Sequence, residues 1–220
     1  MNPQLTLDIL QKEAQAFALK ESEYPEPSLY GTTDGKAVGT YLEHKFQAHL
    51  ALHYNYKAGN SAKGIDFPSL NVDIKVTSID QPQSSSPFKS ARQKVFGLGY
   101  GLLVFVYEKK DDPATQTATL NMLHVVFVEK AQTADFQMTT GIAEILAQKN
   151  NAGVLDDLVA FMQDKNLPID EIGAREIAEE IVKQPPALGY LTISNALQWR
   201  LQYTRVIAEA GKVAGIVRVK

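Results

Sequence analysis

Two apolar runs dominate the chain: "YGLLVFVYEK" from Tyr100 and "LNMLHVVFVEK" from Leu120. Both are rich in Val, Leu, Phe and Tyr and too short for a membrane span. They read as strands, and the first, apolar on both faces, is the candidate for a central buried strand. "DDPATQT" between them turns the chain. Such strands need helical cover, and the N-terminal segment offers it. Residues 4–20 place Leu7, Leu10, Ala14 and Phe17 about one turn apart, and residues 38–53 do the same with Leu42, Phe46 and Leu50. The Pro- and Gly-punctuated stretch "ESEYPEPSLYGTTDGK" separates the two helices. Two further strands are predicted around 63–67 and 70–78, then a polar loop, "DQPQSSSP". A helix from Ser90 to Phe96 stops at Gly97-x-Gly99. Helix, strands, helix, strand, turn and strand predict an α/β core built on a mixed β-sheet flanked by helices.

After about residue 140 the pattern changes. Residues 154–165 and 171–183 are amphipathic and helical, and "QPPALGY" is a connector. Thr192 or Ser194 then caps a predicted long helix, "NALQWRLQYTRVIAEAG", ending at Gly211, with "VAGIVRVK" as a short last strand. Three helices and a terminal β-element outline a winged helix-turn-helix. The expected division is therefore a core over 1–145 and a helical, winged-helix-like region over 150–220.

The 220 residues include no cysteine, which excludes disulfides, thiolate zinc sites and a cysteine nucleophile. A net charge of −3 argues against a protein that grips nucleic acid by bulk charge, while leaving room for local basic patches. The N-terminus lacks the basic and apolar regions of a secretory signal, and a cytoplasmic, non-membrane location is expected. His49 and His53 lie four apart on one helix face, but neither they nor His44 and His124 complete a zinc-site spacing. No G-x-S-x-G elbow and no Walker A lysine is present.

The stretch "GIDFPSLNVDIKVTS" (Gly64 to Ser78) puts charge into β-structure. Strand side chains alternate, so Asp73 and Lys75 share a face while Ile74 and Val76 point to the core. If the flanking strands pair as a hairpin, Asp66 reaches the end where Asp73 emerges. Converging carboxylates repel unless a cation lies between them, and carboxylate oxygens with waters are what Mg2+ prefers. A lysine two residues on is placed to orient or help deprotonate a water attacking a phosphate.

Asp66, followed after six residues by Asp73-Ile74-Lys75, resembles the PD-(D/E)xK nuclease superfamily, best known for type II restriction endonucleases. The resemblance covers residues 36–110 and extends to "SPFKSARQKVFGLGYGLLVFVYEK". Ile65 stands where the motif often has proline. The family pattern implies Asp66 and Asp73 as metal ligands for Mg2+, Lys75 as the catalytic lysine, and Glu43 as an assisting catalytic carboxylate from the preceding helix. It implies hydrolysis of double-stranded DNA at a specific sequence, leaving a 5′-phosphate. It also implies a homodimer that cuts both strands, with a cognate methyltransferase as a genetic partner. Lys63, Lys89, Arg92, Gln93 and Lys94 are candidate backbone contacts near the site. Asn195, Gln198, Arg200, Gln202 and Arg205, of types that read base edges and phosphates, are candidate DNA contacts on the predicted long helix. Two other readings fit the same residues: a repair or recombination nuclease that reads DNA structure, and a winged-helix regulator with no catalysis.

Overall fold

The computed structural model describes residues 2–59, 64–86, 89–148, 152–194 and 199–220. The chain forms two compact units. The first comprises Met1–Ser84, Gly101–Val128 and Ile207–Lys220, and the second Ser85–Tyr100 and Glu129–Val206.

In the first unit, α1 (Leu7–Glu21) and α2 (Gly35–His53) cover a four-stranded sheet of β1 (Val72–Ser78), β3 (Gly101–Asp112), β4 (Thr117–Val128) and β7 (Ile216–Arg218), in the order β1-β3-β4-β7. β1 runs parallel to β3, and the other pairs are antiparallel, so the sheet is mixed. The apolar run of β3 is buried from Gly101 to Tyr107, as a strand flanked on both sides requires. Each helix start is capped by a side chain: Thr6 accepts from the Ile9 N–H, and Asp34 from that of Lys36. The predicted stripes on both helices turn inward. Phe17 and Phe46 meet at 5.0 Å, and Phe46 reaches Phe105 of β3 at 5.3 Å. Burial of each such ring contributes roughly 1.5–3 kcal/mol.

The second unit holds α3 (Arg92–Phe96), α4 (Phe136–Leu146), α5 (Val154–Asp164) and α6 (Glu171–Lys183), which share an apolar core around Val95, Met138, Leu158 and Ile177. A three-stranded sheet takes β2 (Gln83–Ser86), β6 (Trp199–Gln202) and β5 (Thr192–Ile193) in the order β2-β6-β5. α7 (Thr204–Glu209) follows β6. α3 ends where predicted, at Gly97, whose φ of 88° places it in the left-handed region. A Cβ there would lie 2.8 Å from the Lys130 carbonyl oxygen.

Several sequence expectations change. The serine loop contributes β2. α4 was not expected. No strand forms at 64–67; Phe67 makes only an isolated bridge to Val72, and residue 63 lies outside the described residues. The long helix over 195–211 is replaced, from residue 199 on, by β6 and the short α7, while 195–198 lie outside the described residues. "WRLQY" alternates large apolar with polar side chains, and that period of two decides for strand: Trp199, Leu201 and Tyr203 are buried, Arg200 and Gln202 exposed. The last strand, β7, is not a wing. It pairs with β4 in the sheet of the first unit.

Candidate active site

The turn Pro68–Asn71 brings the first acid to the strand. The Phe67 N–H donates to the Val72 carbonyl at 2.9 Å, and Asn71 adopts φ 55°, a conformation that asparagine tolerates better than most residues. Phe67 is fully buried beneath Tyr56, with ring centroids 5.3 Å apart, which anchors the turn. Asp66 precedes Phe67 and Asp73 follows Val72, so the bridge between the inner pair sets the two acids side by side. The Ile74 N–H donates to Asp66 Oδ2 at 2.8 Å.

Ile74 points into the core. Lys75 donates to Asp73 Oδ2 at 2.7 Å. Asp73 is only 4% exposed. Burial raises its pKa most, against the stabilising charge of Lys75, and the neighbouring Asp66 carboxyl adds to the rise by accepting a hydrogen bond from the protonated form. Glu43, half-buried on α2, is pushed up to about 7 by burial and then by the charges of Asp66 and Asp73, with Lys75 opposing. Asp66, Asp73 and Lys75 thus stand together, Glu43 on α2 is near enough to respond to their charges, and repulsion between the acids is what a divalent cation would relieve. Among the described residues no group of three or more His, Cys, Asp or Glu side chains is arranged to enclose an ion. Two carboxylates with open positions for water and phosphate oxygens fit Mg2+, which retains several waters and rarely takes an all-protein cage.

The sequence reading missed one residue here. Gln47 lies one turn beyond Glu43 on α2, on the same helix face, and its Nε2 donates to Asp66 Oδ1 at 3.0 Å. The i, i+4 spacing from Glu43 was the available signal. Both Asp66 oxygens therefore accept fixed hydrogen bonds, one from Gln47 and one from the Ile74 N–H. Gln47→Ala is expected to lower the single-turnover cleavage rate by about 10- to 100-fold, the usual effect of losing a group that orients a metal ligand, without changing the far-UV spectrum. An unchanged rate would make Gln47 a packing residue only.

The DNA-contact candidates are distributed differently from the sequence expectation. Lys63, Asn195 and Gln198 lie outside the described residues. Lys89 is exposed. Arg92 pairs with Glu180 and covers the Phe96 ring at 4.7 Å. Gln93 is not presented to a ligand. It is buried, accepting from the Lys89 N–H and donating to the Leu98 carbonyl, because α3 turns that face inward. Lys94 is also buried. Arg205 stacks on Phe136 at 3.7 Å. Arg200 and Gln202 alone of these share one exposed strand face. Of the histidines, His49 bonds Glu13 at 2.7 Å and lies against His53, with ring centroids 5.5 Å apart.

The family described as type II restriction enzyme NspV matches residues 4–218. A curated relative, the Type II restriction enzyme NspV of Nostoc sp. (strain ATCC 29411 / PCC 7524), is 62% identical over 215 residues, covering 98% of this chain and 96% of the relative. No solved structure matches the chain. With Asp73 and Lys75 on β1, Asp66 set beside them by the preceding turn, and a match spanning nearly its whole length, the chain belongs to the NspV family of type II restriction enzymes.

Proposed function

We propose that this protein is a Mg2+-dependent endodeoxyribonuclease with a PD-(D/E)xK site on a restriction-endonuclease-like core, cutting double-stranded DNA at a specific sequence. The observation that carries the reading is that the Phe67–Val72 bridge and the Ile74 N–H bond to Asp66 set Asp66 beside Asp73, to which Lys75 is bonded at 2.7 Å. Asp66 and Asp73 would hold the ion. When bound, Mg2+ supplies positive charge to the scissile phosphate and acidifies a coordinated water.

The chain's own groups supply the rest. Lys75, fixed by Asp73, orients the attacking water, and its positive charge eases loss of the water's proton to the Glu43 carboxylate or to solvent water. Glu43 sits at the rim with a pKa suited to exchanging protons near neutrality. Gln47 and the Ile74 N–H keep Asp66 aimed at the site. In-line attack at phosphorus leaves a 5′-phosphate. A homodimer cutting both strands is the expected form. The cellular setting is the cytoplasm, beside a methyltransferase that protects the host's own sites. Among the described residues no helix is long and apolar enough to cross a membrane.

Sequence reading is assigned to the region from residue 150 onward, carried by β6 in place of a recognition helix. A β-ribbon is an established reader of DNA grooves. Arg200→Ala is expected to weaken specific binding by about 1–3 kcal/mol relative to non-specific binding. A specificity ratio equal to that of the wild type would take Arg200 out of base readout. Truncation at 150 is the poorer experiment, because it removes β7 from the main sheet.

The activity itself is tested by digesting unmethylated phage DNA with Mg2+ beside an EDTA control. Discrete bands only with Mg2+ are expected. A smear, or bands in EDTA, contradicts the reading.

A further inference from the structure

A cavity of about 230 Å³ in the second unit lies apart in sequence from the acid cluster, and its lining is chemically specific. Lys94, Lys165, Thr192 and Ser194 face it together with Asp135. Lys94 comes from α3 and is 5% exposed, an uncommon burial for an ammonium. Lys165 caps the C-terminal end of α5 and is exposed. Burial presses Lys94 below the usual lysine range, Asp135 opposes it by favouring the charge, and the Lys165 ammonium adds to the lowering. Both oxygens of Asp135 are already engaged: Oδ1 accepts from the Met138 N–H at the start of α4, and Oδ2 from the Ile193 N–H on β5. Two cations thus face the cavity beside one carboxylate, each oxygen of which accepts one backbone N–H.

The hydroxyl groups come from β5 and its continuation. Thr192 is directly opposite Gln202 in the β5–β6 register, and the Ser194 N–H donates to the Arg200 carbonyl. Thr192 and Gln202 therefore share a sheet face, and Ser194 is the cross-strand neighbour of Arg200. The cavity's polar side adjoins the strand whose exposed residues are assigned to base readout. Paired ammoniums with two hydroxyls suit a tetrahedral, doubly oxygenated anion, and such contacts fix register on a duplex.

We infer that the cavity lined by Lys94, Lys165, Thr192 and Ser194 seats a non-scissile backbone phosphate of the DNA beside β6. The inference rests on the reading of the chain as a DNA-cleaving enzyme. It adds a positioning site and a residue, Lys165, that neither the motif nor the family match assigns.

Lys165→Gln is the sharpest probe, because its side chain is exposed and the substitution leaves the core intact. Binding of a short mixed-sequence duplex is measured in EDTA across a NaCl series. The slope of log K against log salt should fall by about 0.9, one phosphate contact, while Lys165→Arg keeps it. Inorganic phosphate should raise the melting temperature of the wild type and not of Lys165→Gln. Lys94→Met, checked for folding by circular dichroism, should lower the slope as well. A wild-type slope in Lys165→Gln overturns the assignment. A phosphate-dependent melting shift accompanied by that unchanged slope means a free-anion site, and overturns it too. Mg2+-dependent cleavage by the wild type is scored in parallel on unmethylated phage DNA. Its absence defeats the nuclease reading, whereas normal cleavage with an unchanged slope defeats the pocket alone.

Discussion

Asp73→Asn is expected to abolish DNA cleavage and, in EDTA, to raise the melting temperature. Asparagine keeps the shape of the side chain and removes its charge. The metal position loses an anionic oxygen, and Lys75 loses the carboxylate that fixes it at 2.7 Å. A fall of at least about 10³-fold in the chemical step, or about 4 kcal/mol, is the minimum consistent with the proposed role. The gain in stability has a separate origin. Asp73 is buried beside Asp66, and its proton is held more tightly in the folded chain than in the unfolded one. Between the ordinary aspartate value of 3.8 and neutrality the folded state therefore binds more protons. Wild-type stability without metal must then decline as pH rises through that window. Glu43, raised from 4.5 to about 7, acts in the same direction. The melting temperature gained by Asp73→Asn should be larger at pH 8 than at pH 5. Added Mg2+ should stabilise the wild type and leave the variant unmoved, since only a bound ion contributes by mass action. A variant that cuts normally would remove Asp73 from the mechanism. A variant that is dead but no more stable would leave the ligand role standing and refute the stored repulsion.

The acid pair was legible because its geometry is local. Alternation on a strand fixes Asp73 and Lys75 to one face, and the Phe67–Val72 bridge fixes Asp66 beside them within one tight turn. Strands β3 and β4 were legible because a buried strand must be apolar over its length, and the two amphipathic helices because their stripes match the helical period. Gln47 was less visible, since a glutamine on a helix edge has no signature until its partner is placed. The same holds for the Lys94–Lys165 cavity, whose members are 71 positions apart in sequence and meet only through the packing of the second unit.

The C-terminal segment shows why the remainder was misread. "NALQWRLQYTRVIAEAG" has apolar residues at spacings that satisfy helical and strand periods together. Its strand character is concentrated in five residues, Trp199 to Tyr203, and its helical character in the six of α7. A long window averages the two. The terminal strand misled for another reason: local pattern shows that residues 216–218 are extended, but only tertiary pairing shows that they join β4. Base-reading candidates chosen on the helical reading inherited that error. On the strand, Arg200 and Gln202 keep a common exposed face, whereas Arg205 falls on α7 and stacks on Phe136.

Lys75→Ala is expected to preserve DNA binding in Ca2+ and to lose the chemical step by about 10²- to 10⁴-fold with Mg2+, the range of a positioned proton-transfer group. Two roles for this lysine make different demands. As a counter-ion it only holds down the proton affinity of Asp73, where its charge opposes the effect of burial. Its removal would then raise that affinity further, and higher pH with saturating Mg2+ would restore the rate by ionising the carboxyl. As the group that orients and helps deprotonate the water, its loss cannot be repaired by either change, because among the described residues Lys75 is the ammonium bonded to Asp73 Oδ2. Lys75→Arg separates the roles again. It keeps the positive charge but presents a planar fork that does not titrate in water, so it should retain metal-dependent stability and still fail to cut. The expected result is a rate deficit that persists at high pH and saturating Mg2+ in both variants. Full recovery of Lys75→Ala at high pH would reduce Lys75 to an electrostatic support and leave water activation to the bound ion and Glu43.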